Sequence, residues 1–170
     1  MNLPKMILTD IDGVWTDGGL YYDSQGNEHK KFNVADGASI LLLRTLNIPV
    51  CIVTGKKSEM VANRAKHLKI DYLYQGIDNK CTQIESLCKD LGISLDEVAY
   101  IGDDFNDVKL LRKAGISACP ANASDYIKKE AKWKLEKKGG DGAFREFVER
   151  ILAEHNLLDS TVEKLLENFS

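Results

Sequence analysis

The chain alternates short apolar runs with longer stretches of helical period. Met6-Ile7-Leu8-Thr9 stops at Asp10, Pro49-Val50-Cys51-Ile52-Val53-Thr54 at Gly55, and Asp71-Tyr72-Leu73-Tyr74 at Gln75-Gly76. Val98-Ala99-Tyr100-Ile101 stops at Gly102-Asp103-Asp104, and Gly115 to Cys119 stops at Pro120. Short apolar runs closed by Gly, Asp or Pro predict strands buried on both faces. Between them, Ile40, Leu41, Leu43 and Leu46 form one helical stripe. Met60, Val61, Arg64, Ala65 and Leu68 form a second; Ile84, Leu87, Cys88 and Leu91 form a third, with Gly92 as its stop. The alternation predicts an α/β protein: a Rossmann-like, doubly wound parallel sheet with helices on both faces.

One segment interrupts the alternation. Gly18 to Asp23 and Glu28 to Phe32 flank Ser24-Gln25-Gly26-Asn27, which predicts a β-hairpin at about residues 19–32, inserted after the first strand. The end of the chain carries Leu158, Val162, Leu165, Leu166 and Phe169 at helical spacing, with Ser160 and Glu163 placed as a capping box. The expected organisation is one domain over residues 1–155, followed by an amphipathic helix within 156–170. That helix would dock on its own domain or on a partner subunit.

Composition narrows the function. A chain of 170 residues, 44% apolar and 29% charged, is one globular domain's worth and needs no disulfide or metal to fold. Lys and Arg number 23 against 26 Asp and Glu, so no basic excess exists to hold a nucleic-acid backbone. No run approaches the ~18 apolar residues of a membrane helix, and Met1 to Thr9 lacks a signal peptide's apolar stretch. A cytoplasmic protein without nucleic-acid or membrane partners is expected. Cys51, Cys81, Cys88 and Cys119 show no metal-ligand spacing and sit among apolar neighbours, so they read as small core residues.

In open α/β sheets, ligands bind outside the carboxyl ends of the strands. Those ends carry Asp10 and Asp12, then Thr54, then Asp103, Asp104 and Asp107, while Lys80 begins the helix after the third strand of the alternation. Five carboxylates at one sheet edge repel unless a cation neutralises them, and hard oxygen ligands of this kind suit magnesium. Calcium fits poorly, because Val14-Trp15 stand where an EF-hand loop needs an Asp or Asn and then Gly. A Walker loop is excluded by glycine spacing. A receiver domain needs an acceptor Asp where this chain has Tyr74-Gln75-Gly76.

Asp10-Ile11-Asp12-Gly13-Val14, Thr54-Gly55, Lys80 and Gly102-Asp103-Asp104-Phe105-Asn106-Asp107 resemble the four motifs of the haloacid dehalogenase superfamily of phosphatases. The resemblance implies that Asp10 attacks phosphorus to give an aspartyl phosphate and that Asp12 is the general acid and base. It implies that Thr54, Gly55 and Lys80 hold the phosphoryl oxygens. Magnesium would be held by Asp10, the main-chain carbonyl of Asp12 and Asp103, with Asp104 or Asp107 behind them. Asp12 argues against dehalogenation, which needs no proton donor there.

Only 41 residues separate Asp12 from Thr54 and 25 separate Thr54 from Lys80, too few for a cap domain. Asp12 to Gly18, Phe32-Asn33-Val34-Ala35-Asp36-Gly37 and Gly139 to Glu146 resemble capless phosphatases of 3-deoxy-ulosonate phosphates, enzymes of lipopolysaccharide or sialic acid biosynthesis. Asn33-Val34-Ala35-Asp36-Gly37 and Lys56 resemble the octulosonate 8-phosphate enzymes, whereas Trp15 and Phe144-Arg145-Glu146-Phe147 resemble the nonulosonate 9-phosphate enzymes. The octulosonate substrate is favoured, with the nonulosonate as the alternative and a non-catalytic oligomerising module as a third. Asn33, Asp36, Lys56, Arg64 and Arg145 are the candidate substrate contacts. The resemblance also implies a homotetramer gathered on the hairpins, with Gly139 to Arg145 as a flexible flap near a neighbour's site.

Overall fold

The computed structural model describes residues 2–167. Strand β1 (Met6–Thr9) has no exposed side chain, and its alternation divides the core. Ile7 enters a cluster on one face of the sheet, while Met6 and Leu8 enter a second cluster on the other. A hairpin of β2 (Tyr21–Tyr22) and β3 (Glu28–His29) follows. The remaining strands are β4 (Val50–Thr54), β5 (Tyr72–Gln75), β6 (Val98–Ile101), β7 (Ile116–Cys119) and β8 (Trp133–Lys134). Apart from the hairpin they form one sheet in the order β5-β4-β1-β6-β7-β8, with every pairing parallel.

Helices cover both faces. On the first lie α1 (Val34–Thr45), α2 (Glu59–Leu68), α6 (Ala143–Glu154) and α7 (Leu158–Glu167). On the second lie α3 (Lys80–Leu91), α4 (Val108–Lys113) and α5 (Asp125–Glu130). Phe144, Phe147, Val148, Ile151 and Leu152 of α6 are all fully buried. At about 1.5–3 kcal/mol per large apolar side chain, that stripe suffices to seat the helix. The expected doubly wound α/β fold is the one observed, and the hairpin is the sole insertion over the carboxyl edge among the described residues.

The chain runs outward from β1 through β4 to β5, then returns to β6 beside β1 and runs the other way. The direction therefore reverses at β1 and β6, and a crevice opens at their carboxyl ends. All four cysteines are free and buried, as their apolar neighbours imply. No helix among the described residues is long and apolar enough to cross a membrane.

Some boundaries differ from the sequence reading. The hairpin strands are only two residues each, because Asp23 organises a broad turn between them. Its carboxylate accepts the Gln25 and Asn27 N–H groups at 2.9 and 2.8 Å. Strand β8 was not anticipated; two residues at a sheet edge leave no periodic pattern. Ser160 does not cap α7, which begins two residues earlier. The hydroxyls of Ser160 and Thr161 instead donate to the Leu157 carbonyl at 3.2 and 2.6 Å. Leu158, Val162 and Leu165 rest against the first core, so α7 docks on α1 of its own chain. Phe169, the last residue of the expected stripe, lies outside the described residues.

Candidate active site

Asp10 follows β1 and its N–H donates to the Ile101 carbonyl of β6 at 3.0 Å, so the ends of the two strands are tied together. Asp103 follows β6 one residue after Gly102. Gly13 brings the two loops into contact. Its φ is +87°, and a Cβ there would lie 1.9 Å from Asp103 Oδ2, so a side chain would be strained and would push the Asp103 carboxylate aside.

Beneath them sits Lys80, the first residue of α3 and fully buried. Its Nζ reaches Asp10 Oδ2 at 2.8 Å and Asp107 Oδ1 at 2.6 Å. Asp107 Oδ1 also accepts from Tyr100 Oη at 2.5 Å. Asp107 Oδ2 accepts the N–H groups of Asp103 and Asp104 at 2.8 and 3.0 Å. With both oxygens occupied, Asp107 fixes Lys80 and the loop. Asp104 is exposed and caps the short 3-10 turn Phe105–Asp107, accepting from the Phe105 N–H at 2.7 Å.

Oxygens of Asp10, Asp103 and Asp107 lie within 4.8 Å of one another. Three carboxylates against one ammonium (−3 + 1) leave two negative charges when all are ionised. Asp10 Oδ1 and Asp103 Oδ1 are buried without a hydrogen-bond partner, an expensive state unless something cationic meets them. Burial and the neighbouring carboxylates push Asp10 up to about 6 and Asp103 up to about 8, even though Lys80 pulls both down. Burial alone would lower Lys80, but Asp10 and Asp107 outweigh it and hold the ammonium above its usual range. Two orphaned hard oxygens in a doubly negative pocket suit a small divalent cation such as magnesium.

Above this floor is an open cleft of about 330 Å³, lined by Asp10, Asp12, Thr54, Gly55, Lys56 and Asp103 among others. Thr54 ends β4, two strand positions from the β6 end across β1. Lys56 pairs with Glu28 of the hairpin at 2.6 Å. Lys30, also of the hairpin, pairs with Asp12 Oδ1 and, at 3.3 Å, with Glu28.

The other candidate contacts lie elsewhere. Asn33 caps α1, its Oδ1 accepting from the Ala35 N–H at 2.9 Å while its Nδ2 donates to the Gly140 carbonyl at 3.3 Å. Asp36 is fully buried at the contact between α1 and α6 and does not line the cleft. It accepts the Arg145 N–H at 3.0 Å, tying α1 to the start of α6, and burial lifts it to about 6. Arg64 lies in the groove between α1 and α2, 6.0 Å from the Phe32 ring centroid. Arg145 pairs with Glu149 at 2.7 Å.

Nor is Gly139 to Gly142 a loose flap. A Cβ on Gly139 would fall 1.8 Å from the Gly13 carbonyl oxygen, and the Gly140 N–H donates to the Val14 carbonyl at 3.0 Å. The glycines are there because the segment packs directly on the loop after β1. Trp15 and Phe144, whose resemblance favoured the nine-carbon substrate, are buried with ring centroids 4.7 Å apart and bear on packing.

Tyr100, Glu28 and Lys30 escaped the sequence reading. Tyr100 is hidden in an apolar strand. Glu28 and Lys30 carried a usable signal: spaced by two along the extended run that the sequence predicts from Glu28 to Phe32, they would share one side.

A sequence profile of the haloacid dehalogenase-like hydrolases matches residues 73–147. The 3-deoxy-D-manno-octulosonate 8-phosphate phosphatase of Salmonella typhi is 38% identical over 155 residues, covering 91% of this chain and 82% of the relative. A crystal structure of the same enzyme from Moraxella catarrhalis, in complex with magnesium, phosphate and KDO, superposes with TM-score 0.91. It is 39% identical over 95% of this chain and 92% of its own. A probable phosphatase from Pseudomonas syringae superposes at TM-score 0.92 with 36% identity, covering 96% and 93% of the two chains.

Proposed function

The chain belongs to the 3-deoxy-D-manno-octulosonate 8-phosphate phosphatases, a branch of the haloacid dehalogenase-like hydrolases, and from that premise we propose that it hydrolyses this sugar-acid phosphate with magnesium. The observation that carries the reading is the buried Lys80, bridging Asp10 and Asp107 beside the orphaned oxygens of Asp10 and Asp103. A scaffold has no reason to keep carboxylates so crowded.

In the proposed reaction an Asp10 oxygen attacks phosphorus, and the bond to the sugar oxygen breaks. Asp12 delivers a proton to the departing alkoxide. Water then attacks the aspartyl phosphate, giving its proton to Asp12, and inorganic phosphate leaves as Asp10 is restored. Thr54, the main-chain N–H of Gly55 and Lys80 hold the phosphoryl oxygens; Lys80 also keeps Asp10 in place. The residues that would hold magnesium are Asp10, Asp103 and the main-chain carbonyl of Asp12. Bound there, the ion supplies the positive charge that lets a phosphate dianion approach a carboxylate.

Lys56, on the rim of the cleft, is the substrate contact within reach of the chain's own site. Arg64 and Arg145 would meet a substrate only across a subunit contact. The exposed Leu20, Tyr21 and Tyr22 of the hairpin support the tetramer that would supply one. A phosphate-release screen with the eight- and nine-carbon acid phosphates, in magnesium and in chelator, tests the substrate. Preference for the eight-carbon acid is expected; a flat profile across sugar phosphates would overturn it. Light scattering tests the assembly, and a fully active monomer would overturn the tetramer.

A further inference from the structure

Lys30 is the one hairpin cation drawn inward. Its side chain is 3% exposed, although its neighbours on the hairpin are open to solvent, and its Nζ bonds Asp12 Oδ1. Glu28 Oε1 faces the same ammonium at 3.3 Å as a charge contact without a hydrogen bond, and its Oε2 is held by Lys56 at 2.6 Å. Among the described residues no hydrogen bond engages Asp12 Oδ2, and the Asp12 side chain, 34% exposed, lines the cleft. One oxygen of this carboxylate is therefore pinned and the other is left to the reactants.

Resting on the phosphatase reading above, we infer that Lys30 is a positioning residue for Asp12: the hairpin pins Oδ1 so that Oδ2 stands ready for the leaving group and for water. An unpinned aspartate turns about two side-chain bonds and spends part of its time aimed away from the reacting oxygen. The Glu28–Lys56 pair extends the brace to the loop after β4, so the acid is oriented from two sides of the cleft.

A merely structural Lys30, which only fastens the hairpin to the domain, is separable by the choice of leaving group. The p-nitrophenolate ion departs with little need of a proton, whereas a sugar alkoxide needs one. The kcat/KM of wild type, Lys30→Met, Lys30→Arg, Asp12→Asn and the Lys30→Met/Asp12→Asn double variant is measured in magnesium on p-nitrophenyl phosphate and on the eight-carbon acid phosphate. Lys30→Met is expected to lose about 10-fold or more on the sugar-acid phosphate, a fraction of the roughly 10²–10⁴-fold of a whole acid–base effect, and a clearly smaller factor on p-nitrophenyl phosphate. Lys30→Arg should recover most of that loss. In the Asp12→Asn background, Lys30→Met should cost less than about twofold, because its partner is already gone.

Equal losses on both substrates, or the same loss with and without the Asp12 carboxylate, overturn the inference. Circular dichroism checks folding. If Lys30→Met unfolds, Lys30→Gln, which keeps a polar end and removes the charge, carries the same comparison of substrates. A folded wild type that releases phosphate from neither compound overturns the phosphatase reading and the inference with it; an active wild type with equal losses overturns the inference alone.

Discussion

Replacing Lys80 with Met keeps the length of the side chain and removes the charge from the centre of the acidic cluster. Lys80 is fully buried and contacts Asp10 at 2.8 Å and Asp107 at 2.6 Å, so the two carboxylates lose the counter-charge they share. Breaking a buried pair by deleting one member costs about 3–5 kcal/mol. In a chain of this size about 2–4 °C of melting temperature corresponds to each kcal/mol, so a fall of roughly 6–20 °C is expected at pH 8. The loss should shrink at pH 5. Asp10 already titrates near 6, and without the ammonium it moves higher, so by pH 5 it takes up a proton that relieves the repulsion. Millimolar magnesium should restore part of the loss at pH 8 by meeting the same carboxylates. Thermal unfolding followed by circular dichroism, at fixed protein concentration in chelator and in magnesium, reads all three effects. A shift within a degree or two at pH 8, or a larger one at pH 5 than at pH 8, would refute the reasoning.

Four further outcomes follow from the site. Wild type in chelator should lose stability as pH rises from about 4 to 8: Asp10 and Asp103 are raised to about 6 and about 8, so the folded state binds more protons than the unfolded one across that window. Melts in magnesium should flatten the slope, and a rising slope in chelator would contradict it. Asp10→Asn should abolish phosphate release while remaining folded by circular dichroism, and Asp12→Asn should lose roughly 10²-fold or more in kcat. Gly13→Ala, whose Cβ would collide with Asp103, should need far more magnesium for half-maximal activity, read by metal titration of turnover. Asp36→Asn should stabilise the fold by at most about 3 kcal/mol at pH 8, read as a higher melting temperature, and leave it little changed at pH 4, since the amide relieves a buried charge that titrates near 6 yet can still accept from the Arg145 N–H.

The fold was legible because each buried strand is an unbroken apolar run with a breaker after it, as Met6–Thr9 and Val98–Ile101 show. The grouping of Asp10, Asp12, Thr54 and Asp103 follows from the same fact, since all stand just past or at the end of such runs. What could not be read was direction of approach. Asp36 and Arg145 sit in motifs that look chemical, yet Asp36 spends its carboxylate on the start of α6 and Arg145 turns to Glu149. Lys30 sits in a polar hairpin that looks solvent-facing, yet its ammonium turns inward to Asp12. Those outcomes depend on how the hairpin and α6 lie over the loop after β1, a tertiary arrangement that spacing along the chain does not encode.

The position of β1 has a consequence for how the protein is made. Among the described strands it comes earliest and shares the centre of the sheet with β6, but its partners β4 and β6 come some forty and ninety residues later. Until then an apolar strand with two unpaired edges must wait, a species prone to association. Even a chain extended through β8 would hold every carboxylate of the cleft without Gly139 and Gly140, which press on the Gly13–Asp17 loop from α6's end. Synthesis thus brings the acidic groups together before it delivers the brace that shapes them.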